Sequence, residues 1–208
     1  FLGNEGYAFA SVKGQPSIDD NSLLVDLKFI VDPGKRTYAR KIIFEGNEIT
    51  QDEVLRREMR QFEGAWASDD LTEQSRVRLE RLGYFKEVNV ETIPVPGTDD
   101  EIDVRYSVEE ETTGNIGGNV GYSDFGLMLG FNLQERNFLG TGHQVGIAIN
   151  KSIYQKNYNL SYYNPYFTID GVSRGYSIYY RKTDYGEFNV ANYLSNSQGL
   201  GLQFGYPI

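Results

Sequence analysis

The sequence predicts an α+β module of β-α-α-β-β order, followed by about six antiparallel strands of a partial transmembrane β-barrel. Three observations lead there. Charge is divided: residues 1–113 carry 14 Lys+Arg and 24 Asp+Glu, whereas residues 114–208 carry 6 and 5. Patterning changes near Gly114, where charged mixed segments give way to Gly- and Tyr-rich runs alternating apolar with small or polar residues. An internal repeat orders the first half: Gly6-Tyr7 recurs as Gly83-Tyr84, and Val25-Asp26-Leu27-Lys28-Phe29 as Ile102-Asp103-Val104-Arg105-Tyr106. Both matches share an offset of 77 residues, so two tandem modules are expected. The first is present only as its last two strands.

The complete module starts with a strand, Tyr38–Glu45. Tyr38, Arg40, Ile42 and Phe44 alternate with Ala39, Lys41, Ile43 and Glu45. It ends at Gly46-Asn47. Thr50-Gln51-Asp52-Glu53 reads as a capping box, whose hydroxyl and carboxylate answer orphan N–H groups. Leu55, Met59 and Phe62 follow at helical spacing. Ser68-Asp69-Asp70 opens a second helix with a cap and two acids favoured by the positive end of its dipole. Leu71, Ser75, Leu79 and Leu82 form its inner stripe, and Gly83 stops it. Val88 and Val90 mark the next strand. Pro94-Val95-Pro96-Gly97 turns the chain, and Ile102, Val104, Tyr106 and Val108 mark the last strand.

The second half repeats a different unit. Ile116, Val120 and Tyr122 oppose Gly117, Asn119, Gly121 and Ser123. Leu127, Leu129, Phe131 and Leu133 oppose Met128, Gly130, Asn132 and Gln134. Val145, Ile147 and Ile149 come next, then Tyr158, Leu160 and Tyr162, then Tyr176, Ile178 and Tyr180, then Leu200, Leu202, Phe204 and Tyr206. A soluble sandwich also alternates. Small residues on one face and tyrosines at strand ends suit a polar lumen and an aromatic girdle instead. Six strands cannot close a barrel alone, since an open edge is unsatisfied in lipid. The chain begins at Phe1-Leu2-Gly3 and ends at Tyr206-Pro207-Ile208 without a signal peptide or closing signal, so it reads as a fragment.

Composition narrows the function. There is no cysteine, hence no thiolate site. The net charge of −9 argues against nucleic acid, which needs a basic footprint. The single histidine, His143, lies beside a turn and has no partner for a metal site or a nucleophile–base pair. Asp99-Asp100-Glu101 and Glu109-Glu110-Glu111 read as solvated charge. Gly140-Thr141-Gly142 lacks the Lys-Ser/Thr and helix of a phosphate loop. No enzyme, metal or cofactor is expected.

Arg40-Lys41-Ile42-Ile43-Phe44-Glu45-Gly46-Asn47 and the run from Val54 to Trp66 resemble the last POTRA domain of the Omp85 family. Asn137-Phe138-Leu139-Gly140-Thr141-Gly142 resembles the hairpin after the second barrel strand. Asn164-Pro165-Tyr166-Phe167 with Asp170-Gly171-Val172-Ser173 resembles the turn after the fourth. The resemblance implies three parts: residues 1–34 as the end of the penultimate POTRA, 35–111 as the last one, and 112–208 as the first strands of a sixteen-stranded barrel. It implies a Gram-negative outer-membrane protein with its POTRA part in the periplasm. That protein would assemble outer-membrane barrels without covalent chemistry. A superfamily exporter is the other reading, and the Glu63–Trp66 segment and the Asn164–Phe167 turn favour the first. Earlier POTRA domains, later strands and the family's Arg-Gly-Phe loop lie outside this sequence.

Three sites follow from the resemblance. Arg56 and Glu63 would dock a lipoprotein subunit of the assembly complex. The Tyr84–Thr92 strand, with Lys86, Val88, Asn89 and Val90, would lie at a sheet edge and pair with an unfolded outer-membrane client. Asn115, Ile116, Gly117, Gly118, Asn119, Val120 and Gly121 would form the first barrel strand and a lateral gate against the last. Its edge is expected to be free here, disordered or paired with a second copy. Outer-membrane lipid is the remaining expected partner.

Overall fold

The structure, a computed structural model, describes residues 1–19, 24–124, 126–184, 186 and 193–207. Its contacts divide it into two units, Phe1–Glu48 with Leu55–Glu111, and Ile49–Val54 with Thr112–Ile208.

In the first unit a single helical turn, Gly3–Glu5, ends at Gly6 in the left-handed region (φ 92°). Strands β1 (Ser11–Asp19) and β2 (Leu24–Asp32) then pair antiparallel. Strand β3 (Tyr38–Glu45), helices α1 (Asp52–Arg56) and α2 (Asp69–Arg81), and strands β4 (Phe85–Pro94) and β5 (Glu101–Glu110) follow. This is the expected β-α-α-β-β order. The repeat is kept in space. β2 and β5 start at corresponding positions, and Gly83 after α2 is left-handed (φ 66°) as Gly6 is.

The sheet order is β3-β5-β4, with β3 parallel and β4 antiparallel to β5. The central strand alternates strictly: Ile102, Val104, Tyr106 and Val108 are buried. Leu55, Met59, Leu79, Tyr84, Phe85 and Val88 complete the core. Tyr106 stacks on Phe44 and donates its hydroxyl to the Thr72 carbonyl at 3.2 Å. Burial pushes its phenol above the usual range. Ser68 caps α2, accepting the Leu71 N–H at 3.4 Å.

Two expectations change. The faces of β3 do not alternate as predicted: Ala39 and Ile42 are both buried. The register shifts between Ala39 and Lys41, and such a bulge inserts a residue and reverses parity. Phe62 is exposed, not on a helical stripe. α1 stops at Arg56. The turns that follow are i→i+3, Glu58 N–H to Leu55 and Met59 N–H to Arg56, so side chains advance by about 120° per residue and leave the stripe.

A buried Gln61 holds the segment after α1. Its amide donates to the Phe62 and Trp66 carbonyls, both at 3.1 Å, and its oxygen accepts the Ser68 N–H at 3.0 Å. Gln61→Ala strands these groups, each worth ~1–3 kcal/mol when buried and unmet. The expected loss is about 2–4 kcal/mol, read by urea unfolding on the fluorescence of Trp66, the single tryptophan. A loss below about 1 kcal/mol would mean water replaces the amide.

In the second unit six strands form one antiparallel sheet in chain order: β6 (Gly114–Ser123), β7 (Gly126–Phe138), β8 (His143–Lys151), β9 (Gln155–Asn164), β10 (Ser173–Asp184) and β11 (Leu194–Gly205). Their lengths of 9 to 13 residues meet the ~9–11 that a tilted strand needs to cross a bilayer. Among the described residues no helix is long and apolar enough to cross. The register aligns the predicted apolar positions. Ile116, Leu133, Ile147, Leu160, Ile178 and Leu200 form one unbroken row across all six strands. These side chains are exposed or half-exposed, as suits lipid rather than a sandwich core. The opposite face carries Asn132, Gly146, Asn159, Ser161, Ser177 and Gly201.

Candidate functional site

The three-stranded sheet of the first unit offers two edges, and the molecule treats them differently. The outer edge of β3 is covered by the segment after α1. Ala39 N–H donates to Ala65 at 2.9 Å, Gly64 N–H to Ala39 at 2.7 Å, and Ala67 N–H to Thr37 at 2.8 Å. Arg56 and Glu63 continue this cover. Glu63 Oε1 accepts the Ile42 N–H at 2.8 Å, and Arg56 Nη2 donates to the Ile42 carbonyl at 3.3 Å. The two side chains meet at 3.4 Å, and the guanidinium lies 5.3 Å from the Phe44 ring centre. The structure thus brings both predicted residues together. It also gives them a task the sequence did not reveal, satisfying the edge backbone of one residue. Each side chain is about half exposed (48% and 46%), so the pair alone contributes only ~0.2–1 kcal/mol.

β4 is the other edge, as expected, and among the described residues its only strand partner is β5. Val88 is buried and Val90 half-buried, while Lys86 and Asn89 are exposed. Lys86 Nζ pairs with Glu109 at 2.8 Å, a hydrogen bond that raises its already high pKa. Asn89 donates to Glu87 at 2.7 Å. Charged side chains flank a strand edge whose backbone is open, a common guard against unwanted pairing.

In the second unit β6 is an edge strand bonded only to β7 among the described residues. Asn115, Ile116, Gly117, Gly118, Asn119, Val120 and Gly121 lie along it. None of its three central glycines has positive φ, so it is the missing side chain that matters. A Cβ at Gly117 would run into the Asn132 amide, and one at Gly121 would touch Met128 at 3.4 Å. Both face the polar side. Gly118 sits in the outer row opposite Phe131, and a Cβ there would meet only the Gly130 carbonyl at 3.7 Å. Room in the lumen therefore explains two of the glycines and not the third.

Sequence reasoning missed one cluster in this unit. Asn137 is buried. Its amide donates to Thr50 Oγ1 at 2.9 Å and its oxygen accepts the Gly142 N–H at 2.8 Å, while Gln51 N–H donates to Gly140 at 2.9 Å. Gly140 is left-handed, and any Cβ would overlap the Ile49 carbonyl. Asn-x-x-Gly-x-Gly is the only hint of it in the sequence.

His143 Nδ1 lies 2.8 Å from the Tyr162 hydroxyl, a strand-end pairing as predicted. No group of three or more His, Cys, Asp or Glu could hold a metal among the described residues.

A β-α-α-β-β module leading into bilayer-length antiparallel strands with one apolar face defines a class: outer-membrane barrel proteins with such modules before the barrel. Residues 37–111 match the POTRA family, described as a surface antigen variable number repeat, and residues 137–208 match the Omp85 superfamily domain. The two matches place a POTRA-like segment before an Omp85-like one. Outer membrane protein assembly factor BamA of Neisseria meningitidis is 33% identical over the whole chain, which covers 26% of that protein. BamA of Buchnera aphidicola is also 33% identical over the whole chain, which covers 34% of it. The crystal structure of Haemophilus ducreyi BamA lacking POTRA domains 1–3 matches with a TM-score of 0.84 and 41% identity, over 100% of this chain and 39% of that one. This chain spans about a quarter to a third of the curated relatives it matches. The exporter reading is not favoured, because the relatives matching along the full chain are named as assembly factors.

Proposed function

We propose that this chain is part of an assembly factor for outer-membrane β-barrel proteins, working by β-augmentation and lateral gating with no covalent chemistry, metal or cofactor. The observation that carries this reading is the contrast within the three-stranded sheet between the open edge of β4 and the covered edge of β3. An open edge can template an incoming strand through backbone hydrogen bonds, which serves clients of any sequence.

The parts take the following roles. Residues 1–34 are the C-terminal part of one periplasmic POTRA domain, 35–111 are a complete one, and 112–208 begin the barrel in the outer membrane, in contact with its lipid. Arg56 and Glu63 dock a lipoprotein of the assembly complex (BamD). Lys86, Val88, Asn89 and Val90 receive unfolded clients, and nucleic acid is not a partner.

The test uses photo-crosslinking side chains at Lys86 and at Asn89 in the full-length protein. Both should capture newly exported barrel proteins, and a position on covered β3, such as Lys41, should capture several-fold less. Silence at both β4 positions, or equal capture at Lys41, would count against client pairing at β4.

A further inference from the structure

Residues 114–208 contain only three lysines, Lys151, Lys156 and Lys182. The strand register puts all three in one row. Lys151 on β8 is opposite Lys156 on β9, and Lys156 is opposite Lys182 on β10. Neighbouring strands lie ~4.8 Å apart, so three ammonium stems span about 10 Å. Like charges placed directly opposite repel and weaken a sheet. Among the described residues none of the three has an ion pair, and Lys151 and Lys156 are exposed. Among the described residues the acid nearest along the face, Asp184, lies two positions beyond Lys182, and its carboxylate accepts the Gly186 N–H at 3.1 Å. The row lacks a counter-ion within the described protein.

Its position says which anion suits it. The row stands on the apolar face and not on the lumen face, where Arg181 falls. One step inward on the same face lie Tyr158 and Tyr180, packed 6.1 Å apart, and then Leu160 and Ile178. The lysines therefore mark the polar rim of the lipid-facing band, at the strand ends away from Gly114, where the chain joins the sheet. A soluble anion would leave the adjoining apolar surface unused. A lipid would place acyl chains on the Tyr and Leu rows and its headgroup on the ammonium groups.

We propose that Lys151, Lys156 and Lys182 form a binding row for a membrane lipid whose headgroup carries more than one phosphate. Lysine suits this task as a compact cation on a flexible stem, able to reach from an apolar wall to an anionic surface. Three such groups about 5 Å apart can engage two phosphates at once, which a headgroup with a single phosphate cannot match. The proposal rests on the reading of β6–β11 as membrane strands.

The test places the full-length protein in phosphatidylcholine nanodiscs. These are doped with lipid A bearing two phosphates, or with the same lipid after phosphatase treatment. Bound lipid is counted by native mass spectrometry. Heat-modifiable gel mobility reports barrel folding separately. Wild type should retain the phosphorylated form at least about fivefold over the dephosphorylated one. The K151Q/K156Q/K182Q variant should lose that preference while staying folded, and the triple arginine variant should keep it. If the glutamine variant fails to fold, the single K156Q change at the centre of the row should still cut retention by half or more. Equal retention of both lipids by wild type, or unchanged preference in the glutamine variants, would overturn the proposal. Displacement of the lipid by millimolar inorganic phosphate would also overturn it, in favour of a general anion site. Failure of wild type to enter the nanodisc would instead overturn the membrane-strand reading, and the proposal with it.

Discussion

A disulfide between a cysteine at Gly118 and one on the strand that closes the full-length barrel should abolish growth, and a reductant should restore it. Gly118 is the position of choice on steric grounds. It lies on an edge strand, its added Cβ meets nothing closer than 3.7 Å, and its φ is open to any residue. Gly117 would be a poor site, because its Cβ would collide with Asn132. The bond needs Cα atoms about 4.4–6.8 Å apart, which strands pairing across a closed seam provide. A seam closed by this strand would be weak by composition. Glycine in a strand interior costs roughly 0.5–1 kcal/mol relative to alanine, and Gly117, Gly118 and Gly121 leave little side chain to grip a neighbour. A strand so built holds its partner mainly by backbone hydrogen bonds, and the same bonds can be offered to a client strand. Locking them covalently removes both opening and templating. Normal growth with the bond quantitatively formed would rule the gate out.

Much of the architecture is legible in the sequence because it repeats at fixed periods. The apolar rows of the barrel sheet follow from period-two alternation, and pairing then aligns residues that the sequence had already sorted by face, such as Ile116 with Leu133. Gly83 and Ser68 act locally, through a left-handed backbone and a cap, and so could be read without tertiary information. What was not legible depends on register and on aperiodic backbone. The bulge after Ala39 turns the faces of β3 over with no Gly or Pro to announce it. The cover on the β3 edge is made by Ala65, Ala67 and Gly64 through main-chain groups, which carry no side-chain code. Glu63 shows the limit well. The resemblance singles it out with Arg56 for docking, but its bond to Ile42 N–H joins residues 21 apart in sequence. The lysine row is similar: the parity of each lysine could be read from its strand, but not that the three fall opposite one another.

Charge reversal at Glu63 should separate docking from architecture. Glu63→Lys in the full-length protein places a second cation against Arg56 and removes the acceptor of the Ile42 N–H. Co-purification of the lipoprotein is expected to fall at least tenfold, which corresponds to about 1.4 kcal/mol at the interface. The pair now sits half exposed, where it is worth little to the fold. Covered by a partner it would be desolvated, and breaking one member of such a pair costs ~2–5 kcal/mol. That asymmetry makes the effect on binding larger than the effect on folding. Glu63→Gln is the control, since its amide oxygen can still accept from Ile42 while the charge is gone. If Glu63 serves docking, the Gln variant keeps the fold, read on Trp66 fluorescence, and still loses lipoprotein. If it serves only the β3 edge, the Gln variant behaves as wild type, and only Lys unfolds the segment. Arg56→Ala tests the partner residue from the other side: it leaves Glu63 on Ile42 but unpaired. Its effect should match that of Gln in direction, with the greater loss at low salt, where screening of the remaining carboxylate is weakest. Unchanged lipoprotein recovery in both Glu63→Lys and Arg56→Ala would confine this pair to holding the edge of β3.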